Sequence, residues 1–183
     1  MRNAVLVSAA RTPVGKMGGV FKNFQRMDLA VPTIQEAIKR AGISSEEVEE
    51  VFYGNMTEFL NPGRYAWLSA GMNIDTACLT INRACATGLT GIGMAGVMIK
   101  GGHGDVYLCG GTEMDSRKFF TLHVEKPYSG GGLKIDSKFS TPVVPYGNPS
   151  MLQTAENIAE KWGITREECD AFGYRSQTLA ARG

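Results

Sequence analysis

The sequence is organised around one short stretch, Asn82-Arg83-Ala84-Cys85-Ala86-Thr87-Gly88-Leu89. It overlaps a sixteen-residue segment, 84–99, that contains no charged residue and has the composition of a buried helix. Cys85 is therefore placed in the first turn of a predicted helix, where unpaired backbone N–H groups and the positive end of the helix dipole favour a thiolate. Small neighbours on both sides of the thiol leave room for a bulky substrate. The stretch predicts a cysteine nucleophile.

The other three cysteines lack these surroundings. Cys78 and Cys109 lie inside segments that are predicted to be strands, where a thiol usually serves as a small buried hydrophobe. Cys169 is flanked by acidic residues on both sides, and their negative charges disfavour a thiolate. Cys85 is therefore the preferred nucleophile.

Composition argues against several classes of partner. The 183 residues carry 19 basic and 18 acidic side chains, a net charge of +1, which gives no electrostatic basis for binding nucleic acid or a membrane surface. No Cys-x-x-Cys pair occurs and the histidines are His103 and His123, so no metal site is predicted. No apolar segment reaches the roughly 18 residues of a membrane helix. Four cysteines without a disulfide-like pattern favour a reducing compartment, and we predict a cytoplasmic protein.

Predicted strands and helices alternate along most of the chain. The apolar run 4–10 is interpreted as a first strand rather than a signal peptide, because it is short and ends at Arg11. Such alternation is typical of a mostly parallel sheet with helices on both faces, so the predicted fold class is α/β. The predicted strands are 4–8, 50–53, 78–82 and 105–109, and the predicted helices are 27–41, 63–70, 84–99, 151–162 and 165–182. Capping boxes that mark helix starts are predicted at Ser44 and Thr165, and Gly42 and Gly163 are predicted to end helices.

The pattern changes after Glu113. Residues 115–149 are rich in serine, glycine, proline and lysine and show no clear period. A stretch this long without regular structure is more often a functional or covering excursion than a plain connection. We therefore predict two domains, an α/β core over 1–114 and an excursion that ends in two helices over 115–183.

Two local patterns suggest other functions and are set aside. Residues 91–96 match the Gly-x-Gly-x-x-Gly signature of dinucleotide binding, but no predicted strand ends directly before them, as that motif requires. Glycines at these positions more simply allow a buried helix to pack closely against its neighbours. His103 follows the far end of the same predicted helix, about 27 Å from Cys85 at the helical rise, so it is interpreted as a turn residue rather than a base.

The stretch around Cys85 resembles the acyl-accepting cysteine motif of the thiolases. Further segments match the same family in the same order along the chain. They are Arg11-Thr12-Pro13 with Gly15, Gly54-Asn55, Gly110-Gly111-Thr112-Glu113-Met114-Asp115-Ser116, Thr154-Ala155-Glu156-Asn157-Ile158-Ala159, Ile164-Thr165-Arg166-Glu167-Glu168 and Arg175-Ser176-Gln177. Several motifs in register are far more specific than one octet, and on them the chain is identified as a member of the thiolase family.

The resemblance implies a thiolase-like layered α/β/α fold, of which this chain forms the N-terminal half, with a loop-domain excursion. It implies that Cys85 forms an acyl-enzyme intermediate and that its own backbone N–H helps to hold the thioester oxyanion. The implied reaction is cleavage of a 3-ketoacyl-CoA or condensation of two acyl-CoA molecules, as in fatty acid metabolism. Coenzyme A would be a substrate, with no permanently bound cofactor, and its contacts are expected within 115–183, including Met151.

The chain also departs from the thiolase pattern. The second half of a complete thiolase carries a Gly-His-Pro motif, an Asn-Glu-Ala-Phe motif and a second cysteine followed by glycines, and none of these occurs here. By resemblance they supply the base that activates the nucleophile, an asparagine that positions a water, and the acid and base for the second substrate. Ser150-Met151-Leu152 stands where the family often has His-Met-Gly, which leaves the choice of acyl chain open.

A partner chain is therefore expected. Half of such a sheet alone would expose a large apolar face, so we predict an interface with a C-terminal-half thiolase chain, in a homo- or hetero-oligomer, and no activity without that half.

Two other hypotheses stay open beside a split thiolase. The chain is a fragment of a single-chain thiolase, or a non-catalytic binding or scaffold subunit that keeps Cys85 as a relic. Gly183 follows a capped predicted helix, which mildly favours a natural end. A ketoacyl or hydroxymethylglutaryl-CoA synthase is a lesser alternative, disfavoured by Asn82-Arg83 before the cysteine and by residues 154–157.

Overall fold

The computed structural model describes residues 2–56, 60–117, 121–124, 133–136, 147 and 149–182. The chain forms two units, Met1–Ile135 and Asp136–Gly183, and each is described by itself. The boundary predicted after residue 114 marks a change in amino-acid composition, whereas this division follows contacts within the fold. The predicted boundary therefore stays a prediction.

A three-stranded parallel sheet forms the centre of the first unit. Its strands are β1 (Glu50–Gly54), β2 (Ala77–Ile81) and β3 (Tyr107–Gly111), in the order β2-β1-β3. Phe52 of β1 lies opposite Leu79 on one side and Cys109 on the other. Parallel strands in a mixed helix and strand unit confirm the predicted α/β class.

Helices lie on both faces of this sheet. They are α1 (Arg26–Ala41), α2 (Pro62–Ser69) and α3 (Thr87–Gly101). Successive side chains of a strand point to opposite faces. Val51 and Tyr53 accordingly join a buried cluster with residues of α1 and α2, whereas the side chain of Phe52 lies against Gly91 of α3. The first unit therefore has a helix, sheet, helix layering.

Two short strands and two further helices follow. The strands β4 (Thr121–Val124) and β5 (Leu133–Asp136) form a two-stranded sheet inside a stretch where the sequence showed no period. The second unit contains α4 (Met151–Trp162) and α5 (Arg166–Ala180). The predicted capping box at Thr165 is confirmed, since Thr165 Oγ1 accepts from the backbone N–H of Glu168 and the Glu168 carboxylate accepts from that of Thr165.

The core of the first unit is built around Trp67. Its side chain is fully buried beside Val51 and Tyr53, and its Nε1–H donates to the carbonyl oxygen of Asn73 at 2.7 Å. An aromatic side chain of this size contributes a large buried area, and its polar hydrogen finds a partner here. Trp67 therefore fixes α2 against the centre of the sheet.

Replacement of that side chain is expected to be costly. The Trp67→Ala variant should lose about 3–5 kcal/mol of unfolding free energy, because it leaves a cavity in a packed core. The matched Trp162→Ala variant removes a side chain that is 64% exposed. It should cost less than about 1 kcal/mol of unfolding free energy, the upper value for an exposed cation–π contact such as the one between Lys161 and this ring. Urea unfolding followed by circular dichroism measures both. Equal losses in the two variants would contradict this description of the core.

The predicted first strand, 4–8, is wrong. Residues 4–8 are in no strand, and Val5, Leu6 and Val7 are 73%, 80% and 69% exposed. The segment is tethered through side chains, since Ser8 Oγ donates to the carbonyl oxygen of Ala37 at 2.8 Å. A strand needs a neighbour for its backbone groups, and no described strand pairs with this segment.

The predicted burial of the apolar helix is also wrong for much of its surface. Only Thr87, Gly91 and Ala95 of α3 are buried, whereas Leu89 is 75% and Val97 is 70% exposed. The segment does form a helix, but its outer face has no cover among the described residues. None of the described helices is both long enough and apolar enough to span a lipid bilayer.

Candidate active site

The candidate site lies at the carboxyl edge of the parallel sheet. β1 ends at Gly54, β2 at Ile81 and β3 at Gly111, and Cys85 lies in the connection from β2 to α3. This edge is where open parallel sheets of α/β proteins usually bind ligands. The fold therefore brings the predicted nucleophile beside the loops that follow β1 and β3.

Cys85 lies just outside the helix rather than in its first turn. The helix α3 begins at Thr87 and its N-cap is Ala86, so the predicted start at residue 84 is wrong by three positions. The reason is the backbone of Ala84, which has a φ of 47° and so leaves the right-handed helical region. Cys85 is exposed, and it still lies only two residues before the start of α3.

The turn that carries Cys85 is closed by local hydrogen bonds. The backbone N–H of Ala84 donates to Asn82 Oδ1 at 3.0 Å. Thr87 Oγ1 accepts from the backbone N–H of Arg83 and donates to the carbonyl oxygen of Ala84, both at 2.7 Å. Ala84, Ala86 and Gly88 are exposed around the thiol, as expected for access by a large substrate. The thiol is thus presented on a defined turn.

The loops after β1 and β3 are tied together beside this turn. Asn55 Nδ2 donates to the carbonyl oxygen of Thr112 at 2.8 Å, and the backbone N–H of Met56 donates to the Glu113 carboxylate at 3.0 Å. Arg26, at the start of α1, lies 3.7 Å from the same carboxylate. Sequence reasoning missed these links, although Asn55 and Glu113 both fall in motifs that carried the family resemblance.

Two of the other cysteines are poor nucleophiles in this structure. Burial raises the pKa of the Cys78 thiol, and burial raises the pKa of the Cys109 thiol to about 11. Both are partly buried on strands, as their sequence context predicted. Cys169 is exposed, and it lies on α5 in the second unit.

The shifted pKa of Cys109 makes a testable contribution to stability. Burial moves the pKa from its ordinary value of 9.0 to about 11, so between these values the unfolded chain binds fewer protons than the folded one. Stability that is fully present below pH 9 should therefore fall as the pH rises toward 11. The Cys109→Ser variant should show a shallower fall in urea unfolding between those pH values. Cys169→Ser is the control and should keep the wild-type slope.

A base for Cys85 is missing among the side chains that the structure describes. His103 lies beyond the C-terminal end of α3, whereas Cys85 precedes its N-terminal end, and a 15-residue helix is about 22 Å long. The carbonyl oxygen of His103 accepts from the Tyr107 hydroxyl, as suits a turn residue. No hydrogen bond or ion pair connects the Cys85 thiol with an ionisable side chain within the described ranges. Within the described ranges, the predicted nucleophile therefore has no side chain beside it that could act as its base.

The expected coenzyme A contacts within 115–183 stay a prediction. Met151 begins α4 and is 82% exposed in the second unit, where it is free to contact a ligand.

Comparison with known proteins identifies the class. The sequence-family model of the thiolase N-terminal domain matches residues 4–183, so the chain belongs to the thiolase family. The fold prediction is confirmed as well, because a solved thiolase is among the structural neighbours of this chain. The crystal structure of the acetyl-CoA acetyltransferase of Bacillus anthracis superposes with a TM-score of 0.82 at 36% identity, covering 100% of this chain and 48% of that one.

Curated relatives give the same result. The acetyl-CoA acetyltransferase of Syntrophomonas wolfei is 39% identical over 189 aligned residues, which cover 99% of this chain and 48% of the relative. The mitochondrial acetyl-CoA acetyltransferase of Bos taurus is 38% identical, and the alignment covers 97% of this chain and 43% of that relative. The chain thus spans about half the length of the curated relatives it matches.

Proposed function

We propose that this chain supplies the acyl-accepting half of a thiolase-type acyltransferase, with Cys85 as the nucleophile. The observation that carries the proposal is an exposed cysteine on a defined turn at the carboxyl edge of the sheet, in a chain of the thiolase family. The buried Cys78 and Cys109, whose pKa values are raised, support the same choice of sulfur.

The proposed step is a transfer of an acyl group from one sulfur to another. The Cys85 thiolate attacks the carbonyl carbon of an acyl-CoA, the new bond from Sγ to carbon forms, and the bond from carbon to the coenzyme A sulfur breaks. Coenzyme A leaves as a thiolate and takes up a proton. The acyl-enzyme then passes its acyl group to a second substrate, so that one difficult step becomes two easier ones. Backbone N–H groups near the helix start are suited to the charge that develops on the carbonyl oxygen.

The proposal includes a second polypeptide segment that completes the site. A cysteine of this kind needs a base within about 2.6–3.2 Å, and the described side chains offer none. The exposed outer face of α3 and the unpaired segment 4–8 are apolar surfaces that a folded protein normally covers. The relatives have a second half that this chain does not match. We propose that this half covers both apolar surfaces, either as a partner chain or as the rest of a longer chain. The site of action proposed is the cytoplasm, in fatty acid metabolism.

Isotope exchange tests the acyl-transfer proposal directly. The protein, assembled with the missing half, is incubated with acetyl-CoA and labelled free coenzyme A, and label that enters acetyl-CoA is measured. Exchange requires the acyl-enzyme but no carbon–carbon chemistry, so it isolates the proposed role of Cys85. Exchange that depends on Cys85 is expected. Its complete absence in a correctly assembled protein would favour a non-catalytic scaffold and would overturn the proposal.

A further inference from the structure

We infer that Thr87 is a positioning residue that holds Cys85 in place for attack, an inference that rests on the proposed acyl transfer. Thr87 is two residues from the thiol and is 7% exposed, in contrast to the exposed residues 82–86 and 88 around it. Among residues 82–89 it is the buried one, and both its hydroxyl group and its methyl group make a defined contact.

The hydroxyl of Thr87 closes the turn. Oγ1 accepts from the backbone N–H of Arg83 and donates to the carbonyl oxygen of Ala84, so it bonds the two residues that directly precede Cys85. The backbone N–H of Thr87 donates to the same carbonyl oxygen at 3.1 Å. Two bonds from one residue thus converge on Ala84.

Ala84 needs this support because of its backbone conformation. It is the one residue other than glycine with a positive φ in the described part of the chain. A residue with a Cβ atom rarely adopts this left-handed backbone conformation, because the Cβ atom then lies too close to the neighbouring backbone. Without the bonds to Thr87, Ala84 is expected to relax to a negative φ, which would turn the following residue, Cys85, in a different direction.

The methyl group of Thr87 fixes the side chain against the sheet. A Cβ atom added at Gly54, the last residue of β1, would lie only 2.4 Å from Thr87 Cγ2. The glycine therefore allows the methyl group to lie against the end of the strand while the hydroxyl faces Arg83 and Ala84. Thr87 thus connects the position of the thiol to β1, the most buried strand of the three-stranded parallel sheet.

The test separates the hydroxyl from the methyl group. Thr87→Val keeps the shape and removes both side-chain hydrogen bonds, whereas Thr87→Ser keeps the hydroxyl. The readout is the rate at which iodoacetamide alkylates Cys85 in the full chain, measured by peptide mass spectrometry, with Cys169 in the same samples as an internal reference. Thr87→Val should slow alkylation of Cys85 by about tenfold, the size expected for the loss of a supporting hydrogen bond. Thr87→Ser should stay within about twofold of wild type, and Cys169 should not change.

A double variant tests the cause. Ala84→Gly combined with Thr87→Val should recover most of the rate, because glycine adopts a positive φ without the cost that alanine has. Thermal unfolding of each variant shows whether it folds. If Thr87→Val does not fold, Thr87→Ala replaces it, with the same expected loss, because it introduces no larger group. Wild-type alkylation of Cys85 in a folded variant without the hydroxyl, or equal slowing in Thr87→Ser, overturns the inference.

Failure of the Thr87 inference can be distinguished from failure of the proposed function. The same variants are also assayed for isotope exchange with acetyl-CoA in the assembled protein. Failure of exchange in wild type would overturn the proposed function, whatever the alkylation rates are. Normal exchange in wild type and in Thr87→Val would leave the function standing and would overturn the role of Thr87.

Discussion

The Cys85→Ser variant of the assembled protein is expected to lose covalent labelling by a thiol-directed acyl-CoA analogue and to lose isotope exchange with acetyl-CoA. Loss of an enzyme's nucleophile removes nearly all of its chemical acceleration, and we expect a fall of more than about a thousandfold. A serine hydroxyl is a much weaker nucleophile than a thiolate unless a base activates it. Peptide mass spectrometry locates the label, and a coupled assay measures exchange.

The control for this variant is Cys169→Ser, which removes the other exposed thiol and should leave both measurements unchanged. The alternative sulfurs are Cys78 and Cys109, whose pKa values are raised by burial, so they should carry no label near neutral pH. Label that persists on either of them in Cys85→Ser would contradict the choice of nucleophile.

Thiolysis of a 3-ketoacyl-CoA is expected to be absent from the isolated chain and to appear when the missing half is added. The described side chains provide no base for Cys85, and general base catalysis typically contributes about 10²–10⁴-fold. The complementing polypeptide is the part of a full-length relative that this chain does not match, produced as a separate chain. Release of the shortened acyl-CoA measures the gain.

Two variants make this complementation test specific. Cys85→Ser mixed with the same half should give no thiolysis, which excludes activity from the added polypeptide alone. Val97→Asp places a charge on the exposed apolar face of α3 and should prevent assembly while circular dichroism of the chain itself stays unchanged. Full turnover by the isolated chain, or none from a tightly bound pair, would count against a shared active site.

Local signals gave most of the fold. The capping boxes at Ser44 and Thr165 and the glycines at 42 and 163 mark helix ends, and the structure has them there. Strands β2 and β3 lie within one or two residues of their predicted positions. These features depend on contacts within a few residues, so the sequence contains the information that determines them.

The two larger errors share a physical cause. The segment 4–8 has the composition of a strand and the segment 84–99 that of a buried helix, yet both expose apolar side chains here. Burial and strand pairing depend on what lies next to a segment. Among the described residues no strand pairs with 4–8, and the outer face of α3 stays exposed. The composition of both segments fits burial, and the proposed missing half is the neighbour that would supply it.

The choice of Cys85 as the nucleophile stays a prediction, and the geometry around it could not be predicted from the sequence. Cys85 follows from its octet, whereas the positive φ of Ala84 and the bonds of Thr87 that support it depend on the approach of Gly54 from another strand. A helix start at residue 84 fits the local composition, and the turn replaces it because the connection from β2 must close against the end of β1.

Native mass spectrometry of the protein from its natural source, after incubation with acetyl-CoA, tests the central claim most directly. One spectrum gives the mass of the assembly and, after dissociation, the polypeptide that carries the acetyl group. We expect the acetyl group on the polypeptide that contains these 183 residues, and we expect the missing half beside them, either as a second polypeptide or as a continuation of the same chain. An assembly that contains only copies of a 183-residue chain, or an acetyl group outside these 183 residues, would contradict a shared active site centred on Cys85.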